Sequence, residues 1–351
     1  MRQVTLHVLH GNERVAARGR GLASPRRGRL RRLAALAATI TTLSTASAMA
    51  DPAFWKSEWP ETDFSKTTLE SWSDVMSGGP GKDGIPALSD PEMLPVAKAR
   101  LPEREPVLTV ALDGAPARAY PLRYMTWHEI VNDRIGGRPV AVTFCPLCNS
   151  AIAFDPRVGG RVLTFGVTGK LRHSDMVMYD RETQSWWQQA LGTAIVGELT
   201  GTKLQALPSW MESFAQFRAA HPGGLVMAEP RGNRPYGQNP YAGYDSAAKP
   251  FLYSGAPPPH GVPALARVVR VGDRAWPLPR LAKAGRIEEA GLVLTWQAGQ
   301  ASALDSREMA AGRDVGSVRV RDGQGRDVVH DVLFAFAFDA FWPDGTWMIG
   351  G

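Results

Sequence analysis

The sequence predicts an α+β fold that is β-rich and built as two related halves, each of short antiparallel strands with a few helices. Three observations predict it. Short apolar runs such as "VLTVAL" (107–112), "RPVAVTF" (138–144) and "DMVMYD" (175–180) stop at Gly, Pro or Asp, as short strands do. Strand and helix patterns do not alternate regularly, which excludes a doubly wound parallel sheet. The later part also echoes the earlier part in order. "ARAYPL" (117–122) returns as "DRAWPL" (273–278), and "VAVTF" (140–144) as "LVLTW" (292–296). "TFCPLCNSA" returns as "TWQAGQASA", and "FAQFRAAHPGGLVM" as "FAFDAFWPDGTWM".

This gives four segments. Residues 1–50 read as a cleaved export signal, and 51–106 as a Pro/Gly-rich arm. Residues 107–250 form a first half and 251–351 a cysteine-free second half. In the arm, Trp55, Trp59, Phe64 and Trp72 predict packing against the body, and "MLPVAKARL" a short helix. "RYMTWHEIVNDRI" (123–135) has helical spacing, with Met125, Trp127, Ile130 and Val131 on one face. Ser209 to Glu212 read as a capping box opening a helix that runs to about Ala220 and stops at "HPGG".

The formal charge of +6 suggests a nucleic-acid partner until its distribution is read. Nine arginines and one glutamate lie in the first 50 residues, and the rest carries 31 basic and 33 acidic residues. The nucleic-acid reading is therefore dropped. Arg26 to Arg32 and the apolar Leu33 to Leu43 form an export signal, with Ala48-Met49-Ala50 as the cleavage site. The apolar stretch is too short to span a bilayer, and no later stretch is apolar enough. The mature chain is expected in the periplasm or secreted, by the general or the twin-arginine route.

Both cysteines of the chain lie in "TFCPLCNSAIAFD" (143–155). Cys145 and Cys148 at a strand-to-turn junction suit a metal clip, a redox couple or a disulfide. An all-cysteine zinc site needs four sulfurs and is excluded within one chain. A thioredoxin-like couple would open a helix, whereas "NSAIAFD" reads as strand. Gln297 and Gln300 align with the two cysteines in the echo, which suggests that the pair was added to a scaffold able to stand without it. His173, Met176 and Met178 are soft or borderline ligand types that, with two thiolates, would suit copper; zinc is the other candidate. Methionines on a strand serve equally as core. Asp180 and Arg181 read as a structural pair at a turn, and Gly166 and Gly169 as a bulge or tight turn. Tyr236, Tyr241 and Tyr244 form a loop that is either an aromatic binding lip or an edge cover.

"VTFCPLCNSAIAFD", "FGVTGKL", "MVMYDRETQSWWQQ" and "NPYAGYD", in this order, resemble an uncharacterised bacterial family, the domain of unknown function numbered 3179. The likeness runs from about Val107 to the C-terminus. The resemblance implies an exported protein and supplies no activity. Onto its pattern fall Cys145, Cys148, Gly166, Gly169, Met178, Asp180, Arg181, Thr183, Ser185, Trp187 and Gln189. At 173 and 176 that pattern carries neither His nor Met, so the cysteine pair is the centre of any site. The expected function is metal binding or thiol redox, with an unidentified small molecule or periplasmic protein as partner. The alternative is a non-catalytic binding module with a structural disulfide, in which Trp186, Trp187 and the tyrosine loop stack on a sugar or peptide.

Overall fold

The computed structural model describes residues 52–350. The export signal and its cleavage site near Ala50 lie outside the described residues.

Period-2 runs broken by turn residues fold into many short strands, and apart from a two-stranded hairpin of Arg157–Val158 and Arg161–Val162 these gather into five small sheets set as the blades of a five-bladed β-propeller. The first sheet joins Val75–Ser77, Phe165–Arg172, Asp175–Asp180, Trp186–Gln188 and Thr193–Val196. The second joins Gln205–Leu207, Ser150–Asp155, Arg138–Cys145, Ile130–Ile135 and Leu88–Ser89. The third contains Ser209–Ser213, Pro106–Val110, Arg118–Pro121, Leu225–Met227 and Met93–Pro95. A four-stranded sheet (Asp331–Phe334, Arg267–Val271, Arg274–Pro277, Thr346–Trp347) and a three-stranded one (Arg286–Glu289, Leu292–Gln297, Ser317–Asp322) complete the five.

This corrects the expectation of an α+β fold in two duplicated halves. The described residues hold four α-helices of seven residues each, too short to form a layer. Residues 107–250 contribute to three five-stranded sheets, and 251–351 supply two smaller ones, so the segments are not equivalent halves. The echo fails where it mattered most. Strand Arg138–Cys145 turns straight back into its partner Ser150–Asp155. Strand Leu292–Gln297 instead pairs with Ser317–Asp322, after a long irregular excursion. Gln297 ends its strand opposite Ser317 as Cys145 ends its strand opposite Ser150, but the long excursion replaces the four-residue turn, so Gln300 has no counterpart in the cysteine hairpin and the grafted-site argument falls.

Two helix expectations shorten. The first helix covers Leu122–His128, then Glu129 takes φ +59° and the chain continues as strand Ile130–Ile135. That left-handed residue ends the helix and turns Ile130 and Val131 into buried strand positions. The supposed capping box at Ser209 is a strand, paired with Pro106–Val110. The true box lies four residues on, where the Ser213 hydroxyl accepts from Gln216 N and the Gln216 side chain accepts from Ser213 N. It opens helix Phe214–Ala220. In the arm, "MLPVAKARL" gives only a 3-10 turn at Val96–Lys98.

The arm is woven into three sheets through Val75–Ser77, Leu88–Ser89 and Met93–Pro95. Trp55, Trp59 and Phe64 surround Trp186 with centroids 5.3–5.4 Å apart. Trp59 is buried, and its ring also carries the Lys82 ammonium at 4.3 Å. No helix among the described residues is long and apolar enough to cross a membrane.

Candidate functional site: two thiols and a buried carboxyl

Strand Arg138–Cys145 ends at a four-residue turn, and Cys145 pairs with Ser150 where the next strand begins. Asn149 closes the turn at φ +53°, a conformation Asn tolerates better than most residues, and its N–H donates to Pro146 O at 3.2 Å. The turn is anchored from the distant strand Asp331–Phe334. The Ser150 hydroxyl and Ala151 N donate to Asp331, Asn149 Nδ2 donates to Val332 O, and Phe334 N donates to Cys148 O. Cys145 and Cys148 thus sit in a rigid knuckle, as free and fully buried thiols.

A second hairpin meets them. Strands Phe165–Arg172 and Asp175–Asp180 are joined by His173 and Ser174, with φ +49° and +64°. Two consecutive positive φ values in a two-residue loop suit a type I′ turn, which normally draws Asn and Gly. Ser174 presents its carbonyl to the sulfurs, 3.5 Å from Cys148 Sγ and 4.0 Å from Cys145 Sγ. The next residue, Asp175, completes the constellation: ligand atoms of Cys145, Cys148 and Asp175 all lie within 4.8 Å of one another.

Asp175 is fully buried. Its Oδ2 accepts from Gln188 Nε2 at 2.6 Å and from Ala190 N at 2.9 Å, while Oδ1 is buried with no hydrogen-bond partner. Both donors are amides, so no cation offsets the charge through these bonds. Burial lifts the carboxyl pKa to about 6. Burial likewise pushes Cys145 up and Cys148 well up, and the neighbouring Asp175 adds to both. Glu129, buried beside the same site, is raised to about 8, first by burial and then by Asp175; its carboxyl accepts from the Tyr241 hydroxyl at 3.4 Å. Two thiols and two carboxyls converge here in an apolar setting that favours their neutral forms, an arrangement a divalent cation would reverse.

The other residues singled out by sequence fall elsewhere. The ring of His173 is half-buried and packs edge-on against Phe341, outside the three-ligand group. Met176 and Met178 are core residues, with Met178 opposite Val167 and Trp187. Asp180 does not pair with Arg181. Its carboxylate accepts from Thr183 N, the Thr183 hydroxyl and Trp187 Nε1, and the Thr183 and Ser185 hydroxyls are 2.8 Å apart. Arg181 instead clamps Asp83 of the arm with two bonds of 2.9 Å. Gln189 donates to the Thr143 hydroxyl two residues before Cys145. Gly169 lies in the bulge of its strand at φ +72°, where a side chain would strike Pro80 O, and at Gly166 one would strike Tyr179.

The tyrosine loop turns inward. Tyr236 bonds His128, Tyr241 donates to Glu129, and Tyr244 donates to Leu147 O inside the cysteine turn. Trp186 and Trp187 are wholly buried. These rings offer no aromatic lip. Neither cysteine lines the cleft of about 800 Å³ bordered by Trp210, Glu212, Gln216, Gln297 and Arg319.

Sequence reading missed Asp175 and Glu129. One signal was present: an Asp preceding "MVMY" and answered by "QQ" at 188–189 is polar where the strand is otherwise core. Comparison with curated proteins and with solved structures gives no match. The family match begins at residue 82, so it takes in the second part of the arm. Over residues 82–345 the chain matches the family described as "Protein of unknown function (DUF3179)", and it belongs to that family.

Proposed function

We propose that this is an exported metal-binding protein that holds a zinc ion on Cys145, Cys148 and Asp175. The observation that carries the reading is the convergence of two buried thiols and a buried carboxyl within 4.8 Å, with one carboxylate oxygen left unpartnered. A buried carboxylate oxygen with no N–H or O–H partner, set beside two sulfurs, suits a cation. Two thiolates and one carboxylate carry three negative charges, which a divalent ion offsets better than a monovalent one. Cu(I) favours sulfur alone, and carboxylate lies at the hard end of the ligand range. Three protein ligands with a fourth position open is also a known zinc arrangement.

Export rests on the leader: clustered arginines, a short apolar run, then Ala48-Met49-Ala50. In an oxidising compartment adjacent thiols tend to pair, and a bound metal protects them.

Thiol exchange is the second reading, and the geometry opposes it. The sulfurs are buried, stand in a strand-turn-strand and are held protonated, whereas exchange needs an accessible thiolate. The binding-module reading loses its surface because its aromatic residues are buried or turned inward.

The test is metal content. Protein purified with zinc present should carry one zinc per chain, and C145S/C148S should carry none while keeping its fold. Equal zinc in the double variant, or none in the parent, ends the proposal.

A further inference from the structure

We propose that Ser174 is a positioning residue that couples the metal site to a strap, residues 241–253, closed over it. This rests on the zinc reading above. Ser174 has two faces. Its carbonyl accepts from both thiols, and its hydroxyl donates to Phe251 O at 2.5 Å. No other described residue is hydrogen-bonded to both the sulfurs and the strap. It is held at φ +64° beside another left-handed residue, His173, in a position where Ser is uncommon. Such strain persists only where the surroundings enforce it, and it gathers at functional sites.

The strap has little regular structure, with one 3-10 turn at Tyr244–Ser246. Its middle is anchored by Asp245, which is buried and pairs with Arg267 and Arg313 and accepts from the Ser302 hydroxyl, and individual bonds pin it to the site. The Tyr241 hydroxyl reaches Glu129 at 3.4 Å, and the Tyr244 hydroxyl donates to Leu147 O at 3.0 Å and accepts from Phe251 N at 3.2 Å. Phe251 itself is 46% exposed, so its side chain adds little to hold the strap down. These pins land on the cysteine turn, on Glu129 and on Ser174, which together wall the site. An ion can reach sulfurs this deeply buried only if something covering them moves, and the stretch beyond the Asp245 anchor, residues 247–253, is the part that Ser174 holds to the site.

The chemistry at Ser174 makes the connection. A sulfur that gives its electron pair to a metal has no hydrogen left to donate. Filling the site therefore takes both thiol donors from the Ser174 carbonyl, and the same residue's hydroxyl holds the strap. Ser174 then sets how fast the site fills and empties rather than how tightly it holds.

The experiment measures zinc uptake and zinc release to excess chelator for the full chain and for S174A. Loss of one hydrogen bond should speed both by about tenfold, with affinity almost unchanged. Amides of residues 241–253 should also exchange faster in S174A. Because Ala tolerates positive φ poorly, S174G serves as the second variant and should give the same acceleration. Unchanged rates in both variants, or a fall in affinity without faster exchange in the strap, overturns the role of Ser174. Absence of bound zinc in the parent protein overturns the site itself and is recognised by stoichiometry alone.

Discussion

Asp331 accepts the Ser150 hydroxyl at 2.6 Å, and through this bond the C-terminal part of the chain holds the cysteine turn in place. The same carboxylate accepts Ala151 N at 3.1 Å. All of these groups are buried. Removing the carboxylate strands two donors away from water. D331A should therefore destabilise the fold by about 2–6 kcal/mol, since each of the two stranded buried groups costs about 1–3 kcal/mol. Denaturant unfolding reads this directly. A loss below about 0.5 kcal/mol would show that the anchor is dispensable.

Asp175 should matter to the metal more than to the fold. D175N keeps the shape and the bond from Ala190 but withdraws the negative ligand. Zinc affinity should fall by at least the 10- to 100-fold that groups outside the ligand set cost when changed. Competition with a chromophoric chelator measures it. Parent-like affinity in D175N would remove Asp175 from the ligand set.

Acid should stabilise the metal-free protein. Burial raises Asp175 from its ordinary 3.8 to about 6 and Glu129 from 4.5 to about 8. A carboxyl raised in the folded state binds its proton there at a pH where the unfolded chain has released it. Its stabilising contribution is full below the unfolded pKa and is lost as pH rises through the folded one. Metal-free protein should thus lose stability between about pH 4 and pH 8, by about 3 kcal/mol for Asp175 alone. D175N/E129Q should flatten the profile. Zinc-loaded protein should show the opposite slope across the acid range, because bound metal is displaced by protons. Urea midpoints taken across this range test both signs.

Gly169 is the position where the backbone leaves least choice. It stands at φ +72° in a bulge, with Pro80 of the arm where a Cβ would go. G169A adds backbone strain to a clash, and the expected loss is at least about 1–3 kcal/mol. Because the contact is with the arm, proteolysis between residues 60 and 90 should accelerate in this variant. Unchanged cleavage would mean that the arm is held without this contact.

Much of the site was legible in the sequence, and the reasons for the gaps are physical. Cys145 and Cys148 stand out because no other thiol competes with them and because Pro146 and Asn149 mark a turn. Asp175 is hidden because an Asp after "RHS" looks like turn punctuation, although Ser174 and His173 already make the turn. Glu129 is hidden inside helical spacing, and only a left-handed backbone shows that the helix ends there. Met178 and Trp187 stood out because they belong to family-like motifs; Met178 lies in the core and Trp187 donates to Asp180. Short strands were readable from alternation and turn residues. Their grouping into five sheets was not, since pairing between distant strands leaves no local trace. The echoed segments misled because a short strand followed by a seven-residue helix recurs without making equivalent halves.

X-ray absorption at the zinc edge of reconstituted protein reads the ligand set of the ion itself. Two sulfur neighbours at about 2.3 Å together with oxygen at about 2.0–2.2 Å are expected, and C145S/C148S should give no zinc edge. A spectrum of oxygen and nitrogen alone in the parent protein would contradict this ligand set.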